Sequence, residues 1–126
     1  MMKTILVVDD SPVIRRMLNL TLKKAGYVVL LAADGEIAQQ FLLEMPVDLL
    51  LIDINMPRMD GLTLLRCVRA EEAWQALPVI MLTSSGEELD RQAAVAAGAN
   101  SFLNKPAGAR ELLDTINKLM TRQEAP

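Results

Sequence analysis

The stretch LLLIDINMPRMDG, residues 49–61, begins with four apolar residues that run directly into Asp53. A continuous apolar run is typical of a strand that is buried on both faces of a parallel sheet. A carboxylate at the end of such a strand is costly to bury unless another group pairs with it. The stretch therefore predicts a buried parallel strand whose final residue, Asp53, has a partner elsewhere in the chain.

The same apolar pattern recurs along the chain and alternates with segments of helical spacing. Five runs predict strands, namely TILVVD, YVVLLA, VDLLLID, PVIMLT and SFLN. Strands that alternate with helices predict a parallel sheet covered by helices on both faces. Because crossover connections are right-handed, few topologies remain. We expect an α/β fold of the flavodoxin-like, doubly wound (βα)5 type, with a five-stranded parallel sheet in the order 2-1-3-4-5.

The helical segments carry signals for their ends and their buried faces. Ser11 is the expected N-cap of the first helix, with Pro12 at its first position and Gly26 as its stop. Its inward face is predicted to contain Ile14, Met17, Leu18 and Leu22. We expect the last helix to end near residue 120, which leaves residues 121–126 as a polar tail. The chain is thus predicted to be one domain over residues 1–126, with a core of about 4–120.

Composition excludes several functional classes. The chain has 126 residues and a formal net charge of −3, so it lacks the basic surface of a direct nucleic-acid binder. It contains no histidine, which removes histidine bases, histidine metal ligands and Ser/His triads. A single cysteine, Cys67, permits no internal disulfide. No apolar stretch approaches the roughly 20 residues of a membrane helix, so we expect no membrane contact and a cytoplasmic location.

Polar residues suited to chemistry fall where the predicted strands end. Asp9 and Asp10 follow the first strand, Asp53 ends the third, Thr83 ends the fourth and Lys105 follows the fifth. Ligands of open parallel sheets bind at the carboxyl ends of the strands, near the point where the strand order reverses. The topology is therefore expected to bring three carboxylates, a hydroxyl and an ammonium group together at one edge.

Three neighbouring carboxylates repel one another, and a hard divalent cation is the usual relief. Mg²⁺ prefers oxygen ligands and often combines one or two carboxylates with phosphate oxygens. The chemistry that suits this arrangement is phosphoryl transfer to an aspartate, which forms an acyl phosphate. Such transfer requires in-line positioning and charge neutralisation, which Lys105 and Thr83 are suited to assist.

The motifs VVDDSP, DINMPRMDG, MLTS and NKP, in this order and spacing, resemble the receiver domains of two-component response regulators. The resemblance extends over almost the whole chain. It implies that Asp53 accepts a phosphoryl group from a sensor histidine kinase or a histidine phosphotransfer protein in a phosphorelay. It also implies a Mg²⁺ ion held by Asp9, Asp10, Asp53 and the backbone carbonyl of Asn55.

The resemblance implies further roles by position. Lys105 contacts the phosphoryl group, and Thr83 hydrogen-bonds it and moves with Phe102 as a switch. The remaining positions are Asn55 and Ser85, which tune dephosphorylation, Pro106, which is a cis proline, and Gly61, which lets the loop after Asp53 turn tightly. The fourth helix, fifth strand and fifth helix would contact a downstream protein. Such a protein is not an enzyme with an external substrate, because it catalyses only its own phosphorylation and dephosphorylation.

Two other functions fit parts of the sequence. A phosphohydrolase of the haloacid-dehalogenase type would use Asp9 as nucleophile, but it needs a second aspartate at position 11, where Ser11 stands. A flavodoxin-like electron carrier needs aromatic rings around its flavin, and only 3% of the residues are aromatic. The sequence leaves open whether the chain is a complete single-domain regulator, a relay intermediate or part of a longer protein.

Overall fold

A computed structural model describes residues 2–54, 56, 60–83, 88–105 and 108–124, with side chains as far as residue 121. Strands and helices alternate along these residues, as the sequence predicts. In chain order they are β1 (Thr4–Val8), α1 (Pro12–Lys24), β2 (Val28–Ala32), α2 (Gly35–Glu44), β3 (Leu49–Asp53), α3 (Gly61–Ala70), a 3₁₀ turn (Glu72–Trp74), β4 (Val79–Thr83), α4 (Glu88–Ala97), β5 (Ser101–Asn104) and α5 (Ala109–Glu124).

The five strands form one parallel sheet in the order β2-β1-β3-β4-β5, which confirms the predicted topology. β3 lies at the centre of the sheet, and all five of its residues are buried. The register sets Val8 of β1 opposite Ile52 of β3, one residue before Asp53. On the other side of β3, Asp53 is opposite Leu82 of β4. The carboxyl ends of the three inner strands therefore lie side by side.

Two apolar layers pack against the two faces of the sheet. On one face, α2, α3 and α4 contribute buried residues that include Ala38, Leu64 and Ala94. On the other face, α1 and α5 contribute Leu22 and Ile116 to the second cluster. Because each strand alternates its side chains between the two layers, a central strand must be apolar on both faces. This requirement explains the unbroken apolar run that precedes Asp53.

The predicted signals at the two ends of α1 are confirmed, and α2 begins with a side-chain cap of the same kind. The Ser11 side chain accepts a hydrogen bond from the Ile14 amide at 3.3 Å, and Pro12 occupies the first turn of α1. Gly26 follows the end of α1 with a φ angle of +100°, a conformation that favours glycine. Asp34 accepts a hydrogen bond from the Ile37 amide at 2.9 Å and so caps α2.

Two predicted helix features differ from the structure. Met17 is 54% exposed, because the inward stripe of α1 is narrower than expected and Leu22 is its buried residue. α5 continues through Glu124, four residues past its predicted end. Residues 122–124, Arg-Gln-Glu, are good helix formers, and no glycine or proline interrupts the helix before Pro126. No helix within the described residues is long and apolar enough to span a bilayer.

Arg69 ties the end of α3 to the segments that flank α4 and β4. Its Nε and Nη2 donate to the Gly98 carbonyl at 3.0 and 2.9 Å, and its Nη1 donates to the carbonyls of Trp74 and Leu77 at 3.0 and 2.7 Å. Nη2 also donates to Asn100 Oδ1 at 2.9 Å. All of these acceptors are neutral, and burial lowers the pKa of the Arg69 guanidinium. The arginine therefore acts as a hydrogen-bonded crosslink between three segments.

Gly61 closes the connection between β3 and α3 through a close backbone approach. Its amide donates to the Ile54 carbonyl at 3.1 Å. A Cβ atom at position 61 would collide with the Asp53 carbonyl oxygen and would lie 2.8 Å from Ile54 Cα. The expectation that Gly61 provides a tight turn is therefore refined, because the requirement is for the absence of a side chain against the end of β3.

We predict that Gly61→Ala lowers the free energy of unfolding by about 2 kcal/mol or more, because the new methyl group must displace backbone atoms. Gly108→Ala is the matched control, since a Cβ atom there meets no atom within 4 Å. Its cost should stay below about 1 kcal/mol, the size of a cap effect at the start of α5. Urea unfolding of both variants makes the comparison, and equal losses would contradict the steric explanation.

Candidate acidic site at the carboxyl edge of the sheet

Three carboxylates meet where β1 and β3 end. Asp9 and Asp10 directly follow β1, and Asp53 is the last residue of the neighbouring β3. One oxygen from each carboxylate lies within 4.8 Å of the others. Asp9 and Asp53 are only 1% and 5% exposed, whereas Asp10 is open to solvent. The sequence prediction that these three residues come together is therefore met by the geometry.

Asp9 is held through both its backbone and its carboxylate. Its Oδ1 accepts a hydrogen bond from the Ser11 amide at 2.9 Å, and its Oδ2 accepts one from Lys105 Nζ at 2.6 Å. Its own amide donates to the Ala32 carbonyl of β2 at 3.1 Å. Its carbonyl accepts a hydrogen bond from Arg15 Nη1 at 2.7 Å. These contacts fix Asp9 as a buried, fully engaged carboxylate.

Lys105 is an ion-pair partner of Asp53, as the sequence predicts for a carboxylate at the end of a buried strand. Its ammonium lies 2.6 Å from Asp9 Oδ2 and 3.4 Å from Asp53 Oδ1. The lysine side chain is 17% exposed, so the ion pairs are largely shielded from water. Buried carboxylates are tolerated when a cation and hydrogen bonds offset their lost hydration. One ammonium group thus neutralises part of the charge of two carboxylates.

The backbone places Thr83 and Lys105 together. Thr83 is the last residue of β4, is fully buried and lies one position beyond Leu82, which is opposite Asp53. Its carbonyl accepts a hydrogen bond from the Lys105 amide at 2.6 Å. This bond fixes the start of the lysine segment beside the end of β4. Thr83 is therefore held at the edge of the sheet where the carboxylates meet.

Phe102 lies on β5 opposite Met81 of β4. Met81 and Phe102 both belong to the core layer formed by α2, α3 and α4, and Phe102 is only partly buried there. Side chains two residues apart on a strand share a face, so Thr83 faces the same side of the sheet as Met81. The two residues of the expected switch, Thr83 and Phe102, therefore lie on the α4 side of the sheet.

Three other residues are predicted to belong to the site. Asn55, Ser85 and Pro106 lie outside the described residues. Arg15 contacts the cluster, a role that the sequence pattern does not predict. An arginine one turn into a helix is usually a solvated surface residue, and only its position just after the acidic pair indicates otherwise.

The donor set of the cluster fits a hard divalent cation. All three side chains offer carboxylate oxygens, and the described residues around them place no thiolate or imidazole there. Oxygen-only ligands with one solvent-exposed carboxylate suit Mg²⁺, which retains several waters when bound. Among the described residues, the three carboxylates also outnumber the two cations near them, Lys105 and Arg15, so the site retains negative charge that a bound cation would offset.

The chain belongs to the response regulator receiver domain family, whose model matches residues 5–117. It is 36% identical to the chemotaxis protein CheY4 of Vibrio cholerae, whose structure superposes with a TM-score of 0.90 over 94% of this chain and 99% of that one. It is 32% identical to the receiver domain of a sensor histidine kinase from Pseudomonas aeruginosa PAO1 (TM-score 0.89, covering 96% and 99% of the two chains). That structure contains a magnesium ion coordinated in the active-site cleft.

Curated relatives include the transcriptional regulatory protein CpxR of Escherichia coli K12, which is 40% identical over 121 residues. The match covers 96% of this chain but 50% of CpxR. The chain thus spans about half the length of the curated relatives it matches. Together, the family match and the fold define a receiver domain of two-component signalling, a class of phosphoacceptor switch.

Proposed function

We propose that Asp53 is the phosphoacceptor of this receiver domain and that its donor is a phosphohistidine on a sensor histidine kinase or a histidine phosphotransfer protein. The observation that carries the proposal is the pairing of Asp53 with Lys105 inside the three-carboxylate cluster. The donor histidine must lie outside residues 1–126, because these residues contain none.

The bonding of Asp9 favours Asp53 as the nucleophile. Both oxygens of the Asp9 carboxylate accept close hydrogen bonds, at 2.9 Å from the Ser11 amide and 2.6 Å from Lys105. Lys105 Nζ lies 3.4 Å from Asp53 Oδ1, so the ammonium would be close to the oxygens of a phosphoryl group bonded to Asp53. The same bonding disfavours the phosphohydrolase alternative, which requires Asp9 to attack.

The proposed transfer forms one bond and breaks one. An Asp53 carboxylate oxygen attacks the phosphorus atom, the P–N bond to the donor imidazole breaks, and the imidazole nitrogen keeps the electron pair. Lys105 neutralises a phosphoryl oxygen, and Thr83 hydrogen-bonds another. Mg²⁺, held by Asp9, Asp10, Asp53 and the Asn55 carbonyl, would offset the charge of the carboxylates and the phosphoryl group. Asn55 and Ser85 would tune the later hydrolysis.

The test is the intact mass of the protein after incubation with acetyl phosphate and Mg²⁺. We expect the protein to gain one phosphoryl group with Mg²⁺ and none with EDTA. Asp53→Asn should gain none under either condition, because the amide is not a nucleophile. Asp114→Asn, which removes an exposed carboxylate from α5, is the control and should be phosphorylated normally. Phosphorylation of Asp53→Asn would overturn the assignment.

We infer further that phosphorylation acts through Thr83 and Phe102 on the surface formed by α4, β5 and α5. Thr83 and Phe102 lie on the same side of the sheet, the side covered by α4, and this supports the route. A shift of Thr83 towards the phosphoryl group would open space beside β4 into which Phe102 could move. α4 also exposes apolar side chains, with Leu89 75% and Val95 54% accessible. These residues would contribute to the contact with a downstream protein.

The switch predicts where amide NMR shifts change when the protein is phosphorylated. In the wild-type protein, the largest changes away from Asp53 should fall in α4, β5 and the start of α5. Thr83→Ala should still be phosphorylated, but the amide shift changes in α4 and β5 should fall by half or more. The variant lacks the hydroxyl that is proposed to hydrogen-bond the phosphoryl group and to move towards it. Thr115→Ala is the control, because the Thr115 hydroxyl donates to the Glu111 carbonyl within α5. A wild-type pattern in Thr83→Ala would contradict the switch.

The remaining properties follow from the proposed chemistry. The protein would turn over no external substrate, so hydrolysis of phosphate monoesters by the purified chain would contradict the proposal. Its partners would be the phosphodonor and a downstream protein, with no direct nucleic-acid or membrane contact by this chain, whose net charge is −3. We place the protein in the cytoplasm, and fractionation with the membrane or an external compartment would contradict that location.

A further inference from the structure

Arg15 contacts the acidic site at a point that its proposed chemistry does not use. Its Nη1 donates a 2.7 Å hydrogen bond to the backbone carbonyl of Asp9, and its side chain is partly buried. Arg16, the next residue of α1, is exposed. The two arginines therefore carry the same charge on the same helix turn, but one is bonded to the site and the other faces solvent.

We propose that Arg15 is a positioning residue that fixes the peptide group joining Asp9 to Asp10, and thereby the direction in which Asp10 presents its carboxylate to a bound cation. The proposal rests on the proposed function of the cluster as a Mg²⁺ site. Arg15 touches neither the cation nor the phosphoryl group in this account, since it acts only through the Asp9 carbonyl.

The physical basis is the planarity of the peptide group. The Asp9 carbonyl oxygen lies in one plane with the amide and Cα of Asp10, so a bond that fixes the oxygen also fixes the start of Asp10. The amide and carboxylate of Asp9 are already held by Ala32, Ser11 and Lys105. The Arg15 bond holds the remaining polar atom of Asp9 and completes the clamp.

Asp10 depends on this clamp more than its neighbours do. Within the described part of the chain, no hydrogen bond or ion pair holds its carboxylate, and its side chain is exposed. Its position is therefore set by its backbone. Residues that orient metal ligands without touching the metal typically contribute a factor of about 10–100 to metal affinity.

A role of Arg15 through its charge and a role through positioning predict opposite effects on Mg²⁺ affinity when Arg15 is removed. A guanidinium near three carboxylates opposes cation binding, so a role through charge alone predicts that its removal tightens Mg²⁺ binding. A positioning role predicts that removal weakens binding, because Asp10 is no longer aimed at the ion. The sign of the change therefore separates the two explanations.

The experiment is calorimetric titration of the full chain with Mg²⁺, using Arg15→Met and the matched control Arg16→Met. Methionine keeps much of the side-chain length and removes the charge and the donors. We expect Arg15→Met to raise the Mg²⁺ dissociation constant about tenfold, and Arg16→Met to leave it unchanged or slightly lower. Unchanged or tighter binding by Arg15→Met would overturn the inference.

Circular dichroism in EDTA shows whether Arg15→Met is folded. If it is not, Arg15→Lys is a second variant for the same test. Arg15→Lys keeps the charge but has a shorter side chain with a different donor geometry. Positioning predicts weaker Mg²⁺ binding than in Arg16→Lys, whereas charge alone predicts equal binding, which would overturn the inference.

The rate of phosphorylation by acetyl phosphate supplies an independent measurement. At saturating Mg²⁺, the rate of Arg15→Met should return to that of the wild-type protein, and only the Mg²⁺ concentration for half-maximal rate should rise. A lower rate that no Mg²⁺ concentration restores would contradict a role through metal affinity.

If the unaltered protein binds no Mg²⁺, the proposed cation site fails and the inference fails with it. If it binds Mg²⁺ and Arg15→Met binds equally well, only the inference about Arg15 fails.

Discussion

The ammonium group of Lys105, shared between two buried carboxylates, is the interaction on which the site depends. Asp9 and Asp53 end two neighbouring central strands, where they are almost completely removed from water. The Lys105 ammonium lies 2.6 Å from Asp9 and 3.4 Å from Asp53. It therefore offsets part of the free-energy cost of removing both carboxylates from water. Because Lys105 is shared between two carboxylates beside the exposed Asp10, the site retains negative charge, which suits it to receive a divalent cation.

This interaction also joins distant parts of the chain. Lys105 and Asp9 are 96 residues apart, and they meet because parallel strands bring their carboxyl ends to one edge of the sheet. The Lys105 amide is bonded to the Thr83 carbonyl, so the same residue is linked to β4 through its backbone and to β1 and β3 through its side chain. Lys105, the first residue after β5, is therefore connected to Asp53 by an ion pair and to the end of β4 by a backbone hydrogen bond.

The sequence predicts the sheet and most of the acidic site for one physical reason. A strand buried on both faces must be apolar throughout, so its end is visible as the first polar residue, as at Asp53. In a parallel sheet the carboxyl ends of the strands meet at one edge, so the residues there can be predicted to lie together before any side-chain contact is known. Positions whose roles depend on side-chain reach were harder to predict. The Arg15 bond to the Asp9 carbonyl, the Arg69 crosslink and the exposure of Met17 depend on how helices sit on the sheet, which periodicity alone does not specify.

The most direct test of this account is the free energy of unfolding of Lys105→Met, measured in EDTA and again at saturating Mg²⁺. In EDTA, Lys105→Met should lower the free energy of unfolding by about 3 kcal/mol, because it leaves buried charges unpaired. If Lys105 and the cation neutralise the same carboxylates, saturating Mg²⁺ should restore a substantial part of that free energy. Lys118→Met, which removes an exposed lysine from α5, should lose little in either buffer. An equal loss for Lys105→Met in EDTA and in Mg²⁺ would show that the lysine and the cation do not act on the same charges, and would contradict the account.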